Sequence, residues 1–479
     1  MTSALKRFSP PAVSLAGLIV ASCAVGPDFE APASPPVDRF TPEPTASPGG
    51  GQRFRAGAEV PARWWEAFQC SYLDDLVEEA IANNASLAVA GASVDVAKFN
   101  ALAATGAFFP QVTLNSYSSY QQQSGDATNS TVVSTPYSYF TKSVQITYAL
   151  DIWGANLRNV ESLDAQRDML RHQREAASIT LIANVVKAAI EEASLRGQTA
   201  VTRKSIDVAE GRLMLLRQRH TRGEISGTDV MAQEAALEQM RAALPPLESR
   251  LAQQRNLLTA LVGRYPSEEI EERFNLSQIA LPRDLPVSLP SQLVQQRPDI
   301  KVAEESLHSA SAQVGVAVAA RLPSIALTAN GNTGAFQLQQ LFNPSTMGYT
   351  LAGNIAQTAF DGFTLYNKQL AAEAALAQAR AQYRDTAIRA FQNVADTLRA
   401  LQADARTVAA ARSAEGASRR YLDKVRSQKK FGEISRLEVL NAELSYLIAA
   451  NARIQAEAQR LADTVALFVA LGGGWWSRQ

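Results

Sequence analysis

The stretch "RGEISGTDVM", Arg222–Met231, has a near copy later in the chain, "FGEISRLEVL", Phe431–Leu440. The shared letters Gly-Glu-Ile-Ser stand 209 residues apart (432 − 223), and an acid followed by valine occupies the same place after each copy. A four-letter match is weak by itself in a chain of 479 residues. It gains meaning only if the sequence around it repeats as well.

Three further landmarks repeat in the same order. They are Leu87 with Ile300, Pro110 with Pro323, and Asp151 with Asp361. Their offsets are 213 (300 − 87), 213 (323 − 110) and 210 (361 − 151), close to that of the first motif. The sequence therefore predicts an internal duplication. We expect a signal peptide over 1–22, an extended tether over 23–62, a first repeat over 63–282 and a second over 283–479.

Each repeat contains a pair of predicted strands, at about 111–121 and 140–150, and at about 323–332 and 347–358. In Ser143–Leu150 the even positions are large and apolar while the odd ones are polar or small, which is the period of a strand with one dry face. Four strands cannot close a membrane barrel, which needs at least about eight. Three copies would supply twelve, so a trimer is expected if the strands enter a membrane. The alternative is a small sheet inside a globular protein.

Long helices follow each strand pair. No proline interrupts Ala155–His220 or Phe363–Lys430, and each would be about 100 Å long as one helix. The second carries a coiled-coil seam, formed by Ala387, Phe391, Val394, Leu398, Leu401, Ala405 and Val408. Return helices are expected at Gly227–Val262, with a break at Pro245-Pro246, and at Arg436–Leu471. The predicted fold is mostly α, with duplicated helical hairpins and a β membrane part.

The N terminus has the features of an export signal. Lys6 and Arg7 precede the short apolar run Ala12–Ala21, and small residues lead to Cys23 in a pattern that resembles a bacterial lipobox. A diacylglyceryl group on Cys23 would anchor the chain to a membrane, and Ala24 in place of aspartate favours the outer membrane. A plain secretory signal is the alternative. After the signal no run of 18 apolar residues occurs, so no transmembrane helix is expected.

Several function classes are disfavoured by composition. A formal net charge of zero gives no footprint for nucleic acid. The motifs of common hydrolases, nucleotide-binding enzymes and metalloproteases are absent, so we expect neither an enzyme nor a metal or other cofactor. The scattered His172, His220 and His308 are interpreted as surface or packing residues. We interpret Cys70 as a buried apolar residue, and Trp64-Trp65 and Trp475-Trp476 as packing at the ends of the fold.

Several motifs resemble those of TolC-like outer-membrane efflux lipoproteins of the NodT type. They are "CAVGPDFEAP" (23–32), "WWEAF" (64–68), "RPDIKVAEESLHSASAQVGVAVAARLPSIALTA" (297–329) and "ALGGGWW" (470–476). The resemblance covers the mature chain in order. It implies a homotrimer with a twelve-stranded β-barrel in the outer membrane and an α-helical barrel in the periplasm.

The same resemblance implies the exit duct of a tripartite efflux pump, with an inner-membrane transporter and a periplasmic adaptor as partners. An exit channel for type I protein secretion and a periplasmic coiled-coil lipoprotein scaffold are the alternatives. The lipobox and the NodT-like motifs favour efflux of drugs or other small molecules.

The two Gly-Glu-Ile-Ser copies correspond in that family to hairpin tips at the periplasmic end. Glycine suits such a turn, and Ser226 and Ser435 are expected to cap the returning helices. Candidate adaptor-docking residues are Arg222, Gly223, Ser226, Asp229, Gly432 and Ser435. The acidic ring that gates the family's channels falls on Glu438, while its second acidic position holds Asn441, a departure. Glu438 as an ordinary acid in the first turn of a helix is an equally weighted alternative.

Overall fold

A computed structural model describes residues 24–43, 46–122, 136–271 and 273–478. This part of the chain is mostly helical. Its α-helices are α1 (Ser71–Asn83), α2 (Ala85–Ala104), α3 (Ala155–Thr221), α4 (Gly227–Leu261), α5 (Pro290–Gln296), α6 (Pro298–Ala319), α7 (Thr364–Lys430) and α8 (Arg436–Ala470). Its strands are β1 (Arg53–Ala56), β2 (Gln111–Gln121), β3 (Tyr137–Leu150), β4 (Asp284–Val287), β5 (Ser324–Ala335) and β6 (Met347–Ala356).

The chain divides into two compact units, each built from both predicted repeats. The first unit comprises Met1–Phe29, Asn100–Asp164 and His308–Ala377. The second comprises Glu30–Phe99, Ala165–Leu307 and Gln378–Gln479. Each compact unit therefore combines corresponding segments of the two repeats.

The first unit contains an antiparallel sheet in the order β2-β3-β5-β6. The four strands predicted from alternation are present, with ends shifted by a few residues. Pairing places Val112, Ile146, Ala329 and Leu351 in one row across the sheet. Since side chains alternate between faces along a strand, this register assigns every apolar position of the pattern to the same face.

The repeated aspartates begin the two longest helices. Asp151 accepts hydrogen bonds from the backbone N–H groups of Asn156 and Leu157 at 3.0 and 2.9 Å. Asp361 accepts from Thr364 and Leu365 at 3.0 and 2.8 Å. A carboxylate here satisfies otherwise unpaired donors and is favoured by the helix dipole. The duplication therefore extends from the sequence to the hydrogen bonds that begin these helices.

The long hairpins have matched dimensions. Helices α3 and α7 each contain 67 residues, and α4 and α8 each contain 35. The predicted seam on α7 is confirmed, because its members are buried except for the partly buried Phe391. In the second unit's core the Trp64 ring stacks on Phe468 at 5.2 Å between centroids, and Cys70 is buried, as expected. Trp475 packs edge-on against His172, as expected of a packing residue.

The break expected at Pro245-Pro246 is wrong, because α4 continues through both prolines. Two adjacent prolines remove two backbone donors, but their fixed φ is compatible with a helix. Ion pairs to α3 hold α4 on both sides of the prolines, Arg241 with Glu210 at 2.6 Å and Arg203 with Glu248 at 2.7 Å. These pairs are exposed and weak, so the apolar packing of Leu237, Met240 and Leu244 against α3 is the larger contribution to keeping α4 helical.

The expectation of an unpacked tether over 23–62 is wrong for Gly49–Ala56, which pack against other parts of the second unit. In the second unit, β1 pairs in parallel with β4. The Arg460 guanidinium on α8 is buried and donates to Gln52 Oε1 at 2.9 Å and to the Gly49 carbonyl at 2.7 Å. Composition indicates a segment that forms little structure alone, but it does not show that a buried arginine elsewhere needs the acceptors this segment supplies.

One helical segment departs from the expectation of no membrane-length helix. Ala85–Phe108 is long and apolar enough to cross a membrane by length and composition alone, and very little of it is buried within the described structure. Asp95 and Lys98 interrupt its apolar run, but the many alanines and valines keep the average high. Length and composition do not by themselves establish a span.

A pair of acids on α7 and α8 should make stability depend on pH. Burial, a hydrogen bond with Asp463 and the charge of Asp463 together raise the pKa of Asp404 from 3.8 to about 7, against the opposing effect of Arg460. The folded state therefore holds a proton that the unfolded state releases, and stability falls as pH rises from 3.8 to about 7. We expect Asp404→Asn to remove most of this fall.

Thermal midpoints at pH 5 and pH 8 test this expectation. The Asp404→Asn protein should exceed the wild type at pH 8, whereas Asp396→Asn, at an exposed position of the same helix, should not. An equal loss of stability in wild type and Asp404→Asn between the two pH values would contradict it.

Candidate functional site: hairpin tips and sheet faces

Both hairpin tips turn through the same backbone motif. At the first tip Gly223 has φ +75°, its N–H donates to the His220 carbonyl at 2.8 Å, and the N–H of Glu224 donates to the Arg219 carbonyl at 3.0 Å. At the second tip Gly432 has φ +78°, and the equivalent bonds join it to Lys429 and join Glu433 to Gln428. This pair of bonds is a Schellman motif, which places its glycine in a left-handed conformation.

The rest of the repeated motif starts the returning helix. Ser226 and Ser435 each accept a hydrogen bond from the backbone N–H three residues on, at 3.3 Å. The acids at those positions, Asp229 and Glu438, reach back to the serine N–H at 3.2 and 3.3 Å. The expected capping by serine is confirmed, and the acid completes a capping box.

The isoleucine and the valine of each copy complete the motif. Ile225 packs against the cluster that contains the buried Val230, and Ile434 packs against the cluster that contains the buried Val439. Each pair consists of the residue before the cap and the fourth helical residue, which is a hydrophobic staple. Every residue that the two copies share, except the glutamate, therefore has a structural role at both tips.

The gate candidates lie on the first turns of α8. Glu438 is exposed and its carboxylate occupies the capping box, so the structure establishes its role at the helix start. Asn441 is only partly exposed, and its side-chain oxygen is buried without a hydrogen-bond partner in the described part of the chain.

The two tips differ in surface chemistry. At the first, Arg222 is 71% exposed and 4.0 Å from Glu224, which also pairs with Arg219 at 2.9 Å. At the second, Phe431 takes the place of Arg222 and is 78% exposed. The backbone is thus duplicated while the surface offered to a partner is not.

His220 was missed as a tip residue by sequence reasoning. Its Nδ1 lies 3.1 Å from the Ile225 carbonyl oxygen across the turn. Its position three residues before Gly223 could have indicated this. His172 packs on Trp475, and His308 stacks on Phe29 at 4.2 Å between ring centroids, so the packing interpretation of those two is confirmed. Cys23 lies outside the described residues.

The two faces of the sheet are chemically opposite. Because side chains alternate between faces, the strand register places Gln145, Thr328 and Asn330 on one face of the sheet and apolar residues on the other. On the apolar face Leu114, Tyr349, Leu351 and Ile355 are 71 to 83% exposed. Such a large exposed apolar surface marks contact with a partner or a membrane.

Aromatic side chains stand at both ends of this sheet. At the end where β2 begins, Phe109, Phe360 and Phe363 are 65 to 79% exposed. At the opposite end Tyr120, Phe336 and Phe342 are 62 to 76% exposed, and the Lys142 ammonium lies 4.5 Å from the Phe342 ring centroid. Two aromatic girdles that flank an apolar band are typical of a transmembrane β-sheet.

An amphipathic antiparallel sheet combined with duplicated long helical hairpins defines the class of outer-membrane channels with the TolC-like fold. The chain belongs to the outer membrane efflux protein family, whose family model matches residues 76–264 and 289–473. This is a family of outer-membrane channels and not of enzymes. Among the described residues, no three His, Cys, Asp or Glu side chains are placed to hold a metal ion.

Individual relatives agree over nearly the whole length. The pyoverdine export outer membrane protein OpmQ of Pseudomonas aeruginosa is 28% identical over 429 residues, which cover 88% of this chain and 90% of that protein. The cation efflux system protein CusC of Escherichia coli O6:H1 is 26% identical and covers 96% and 97%. The structure of the outer membrane protein VceC of Vibrio cholerae matches with a TM-score of 0.75 and 26% identity, over 87% of this chain and all of that one.

Proposed function

We propose that this protein is the outer-membrane exit duct of a tripartite efflux pump, formed by three copies of the chain. The observation that carries the proposal is a four-stranded sheet with an exposed apolar face, aromatic girdles and two edge strands, β2 and β6. Lipid offers no hydrogen bonds, so open edges in a membrane must be paired. If β6 of each copy paired with β2 of the next, three copies would form a closed barrel of twelve strands.

Strand length supports the same arrangement. The four strands contain 11, 14, 12 and 10 residues. A tilted strand needs about 9 to 11 residues to cross a bilayer. The polar face, rich in Thr, Asn, Gln and Ser, would then line an aqueous interior. The strands are long enough to span a bilayer, but four of them are too few to close a barrel.

The hairpin tips are the proposed docking surface for a periplasmic adaptor, which would connect the duct to an inner-membrane transporter. Arg222, Gly223, Ser226 and Asp229 belong to the first tip, and Gly432 and Ser435 to the second. The rigid Schellman and capping-box turns favour this role because a preformed surface loses little entropy on binding. Two dissimilar tips per protomer would give the adaptor six alternating sites on a trimer.

The cargo is proposed to be small molecules or ions, chosen by the transporter. The printed names of the relatives range from pyoverdine export to cation efflux. Such different cargoes on similar chains favour a duct that selects little. Acylation of Cys23 by a diacylglyceryl group is proposed as a second membrane attachment, supported by the lipobox-like run before it.

Conductance in planar bilayers tests the proposed duct. The purified protein should migrate as a trimer and conduct ions after reconstitution. A monomer without conductance would contradict the duct and favour a periplasmic scaffold. Loss of drug tolerance on deletion of the gene, with protein secretion unchanged, would separate efflux from type I secretion.

Replacing Glu438 with glutamine tests the proposed gate. Glutamine also fits the third position of a capping box, so the change removes the charge while keeping the helix start. Three carboxylates near one axis would attract cations. We therefore expect Glu438→Gln to reduce the cation selectivity of the closed channel by a factor of about three or more, measured from reversal potentials in a salt gradient.

Asp229→Asn is the matched control, because Asp229 holds the same place at the other tip. It should leave selectivity nearly unchanged. Equal selectivity in wild type and Glu438→Gln would mean that Glu438 serves the helix start alone.

A further inference from the structure

A groove of about 520 Å³ crosses the sheet of the first unit between two rows of side chains. Leu114 and Val144 stand on one side of it. Ser116, Lys142 and Met347 stand on the other side. The strand register places all five side chains on the apolar face, and the backbone between the two rows forms the floor. The groove therefore opens on the side that contacts a partner or a membrane.

Gly331 continues the row of Leu114 and Val144 and leaves a gap in it. Its φ is not positive, and a Cβ on it would meet no atom within 4 Å. Its cross-strand neighbour Tyr349 is 83% exposed, so the tyrosine ring does not cover the gap. Neither backbone conformation nor packing within this chain requires a glycine here. A glycine inside a strand weakens the strand and often marks the close approach of a ligand.

Lys142 is the only charged side chain in the four described strands of this sheet. It lies where the apolar rows of Ile146 and Val144 end, and its ammonium contacts the Phe342 ring. Within the described part of the chain, no carboxylate is paired with it. Ser116 is its direct cross-strand neighbour and brings a hydroxyl close to the ammonium. An ammonium beside a hydroxyl provides the donors that a phosphate group accepts.

The polar corner of the groove lies toward the end of the sheet that carries Phe342. The connections from β2 to β3 and from β5 to β6 are at this end, whereas α3 and α7 start from the other end. With the helices in the periplasm, as in the proposed duct, the Phe342 end faces the outer leaflet. A lysine on a lipid-facing strand is destabilising at the bilayer midplane and nearly neutral at the interface. The position of Lys142 therefore suits contact with lipid headgroups.

We propose that this groove binds a lipid of the outer leaflet with a phosphorylated headgroup. One acyl chain lies in the groove across the gap at Gly331, and the Lys142 ammonium and the Ser116 hydroxyl hold the phosphate. The inference rests on the proposed duct, which assigns the apolar face to lipid and the Phe342 end to the outside. A free phosphate would use Lys142 and Ser116 but leave the gap at Gly331 empty.

Gly331→Ile is the sharpest test, because strand propensity and the groove predict opposite results. Isoleucine has the higher strand propensity and would enter open space, so the thermal midpoint should not fall. The side chain would fill the gap in the groove. We expect binding of lipid A, measured by native mass spectrometry of the purified protein, to weaken about tenfold or more. This is the loss expected if roughly two methylenes of the acyl chain leave the groove.

Ala329→Ile is the matched control, since it adds the same side chain to the same face and strand but outside the groove. It should leave lipid A binding unchanged. Lys142→Gln should weaken binding about fivefold, and Lys142→Arg should retain it. Wild-type binding in both Gly331→Ile and Lys142→Gln would overturn the proposal. A loss in Lys142→Gln alone would overturn the groove, since it would show a contact with the phosphate only.

Dephosphorylated lipid A tests the headgroup. The wild type should bind it more weakly than lipid A, and Lys142→Gln should bind the two lipids alike. Equal binding of the two lipids by the wild type would overturn the assignment of a phosphate to Lys142.

Conductance separates this inference from the duct on which it rests. All four variants change the apolar face, so each should conduct as the wild type does. A wild type that neither forms trimers nor conducts would overturn the duct, and with it the assignment of the groove to the outer leaflet. Variants that conduct normally and also bind lipid A normally would overturn the groove alone.

Discussion

Replacing Arg255 with methionine is expected to lower the free energy of unfolding by about 3 to 5 kcal/mol. Arg255 on α4 donates to Glu192 Oε1 on α3 at 3.2 Å and to the Ile270 carbonyl at 2.6 Å. Glu192 is fully buried and accepts the Phe274 N–H at 3.0 Å. Without the guanidinium, the Glu192 carboxylate loses its most buried cationic partner. Unfolding followed by circular dichroism of the helices gives the measurement.

Burial, and not the number of ion pairs, is the expected cause. Arg241 provides the matched control, since it also bridges two glutamates, Glu210 and Glu238, but at 47% exposure. Exposed pairs contribute about 0 to 1 kcal/mol, so Arg241→Met should have little effect. The double variant Arg255→Met with Glu192→Gln should recover much of the loss, because it removes the buried charge and keeps an acceptor for Phe274. Equal losses in Arg241→Met and Arg255→Met would contradict this explanation.

Replacing Gly432 with valine is expected to abolish export while leaving the proposed trimer assembled. A β-branched residue in the left-handed region costs about 1 to 3 kcal/mol, and the cost falls on a single turn at the second tip. The Schellman bonds would break, and the placement of Phe431, Ser435 and Glu438 would change with them. Tolerance to pump substrates in cells that carry the variant measures the effect. We expect it to fall to that of cells without the gene.

Gly416→Val is the matched control on α7. A Cβ on Gly416 makes an ordinary contact of 3.5 Å with Arg420, and its backbone is helical. Export should be retained there, since the change lies in the helix that leads to the second tip but away from the turn. Wild-type export with Gly432→Val would show that the tip turn is not needed for coupling to the proposed adaptor.

The elements that sequence reasoning predicted well are those specified by local chemistry. Alternation located the strands within a few residues, because one face of the sheet must be apolar along its whole length. The helix ends depend on local caps. Asp361 and Ser435 accept hydrogen bonds from backbone N–H groups within a few residues, and Gly432 turns the chain through its positive φ. The acid after the serine was read as a gate or a helix-start acid, and the capping box settles the second role.

The errors arose where distant residues decide the outcome. Pro245-Pro246 was interpreted as a break because the residues that pack against α4 lie on another helix, α3. The segment before Trp64 read as a tether because its partners, Arg460 on α8 and β4, lie far along the chain. The contacts of Val25 with Arg158 and Gly315 could not be predicted for the same reason.

The sequence alone therefore determined the duplication, the strand faces, the helix ends and the chemistry of the tips, because each depends on neighbours within one or two turns. Only the tertiary structure decided where Arg158, Arg255 and Arg460 find their acceptors and which glycines allow backbones to touch. A buried charge must be satisfied, but nothing in its local sequence states which segment will satisfy it. That choice depends on which parts of the two repeats the fold brings together.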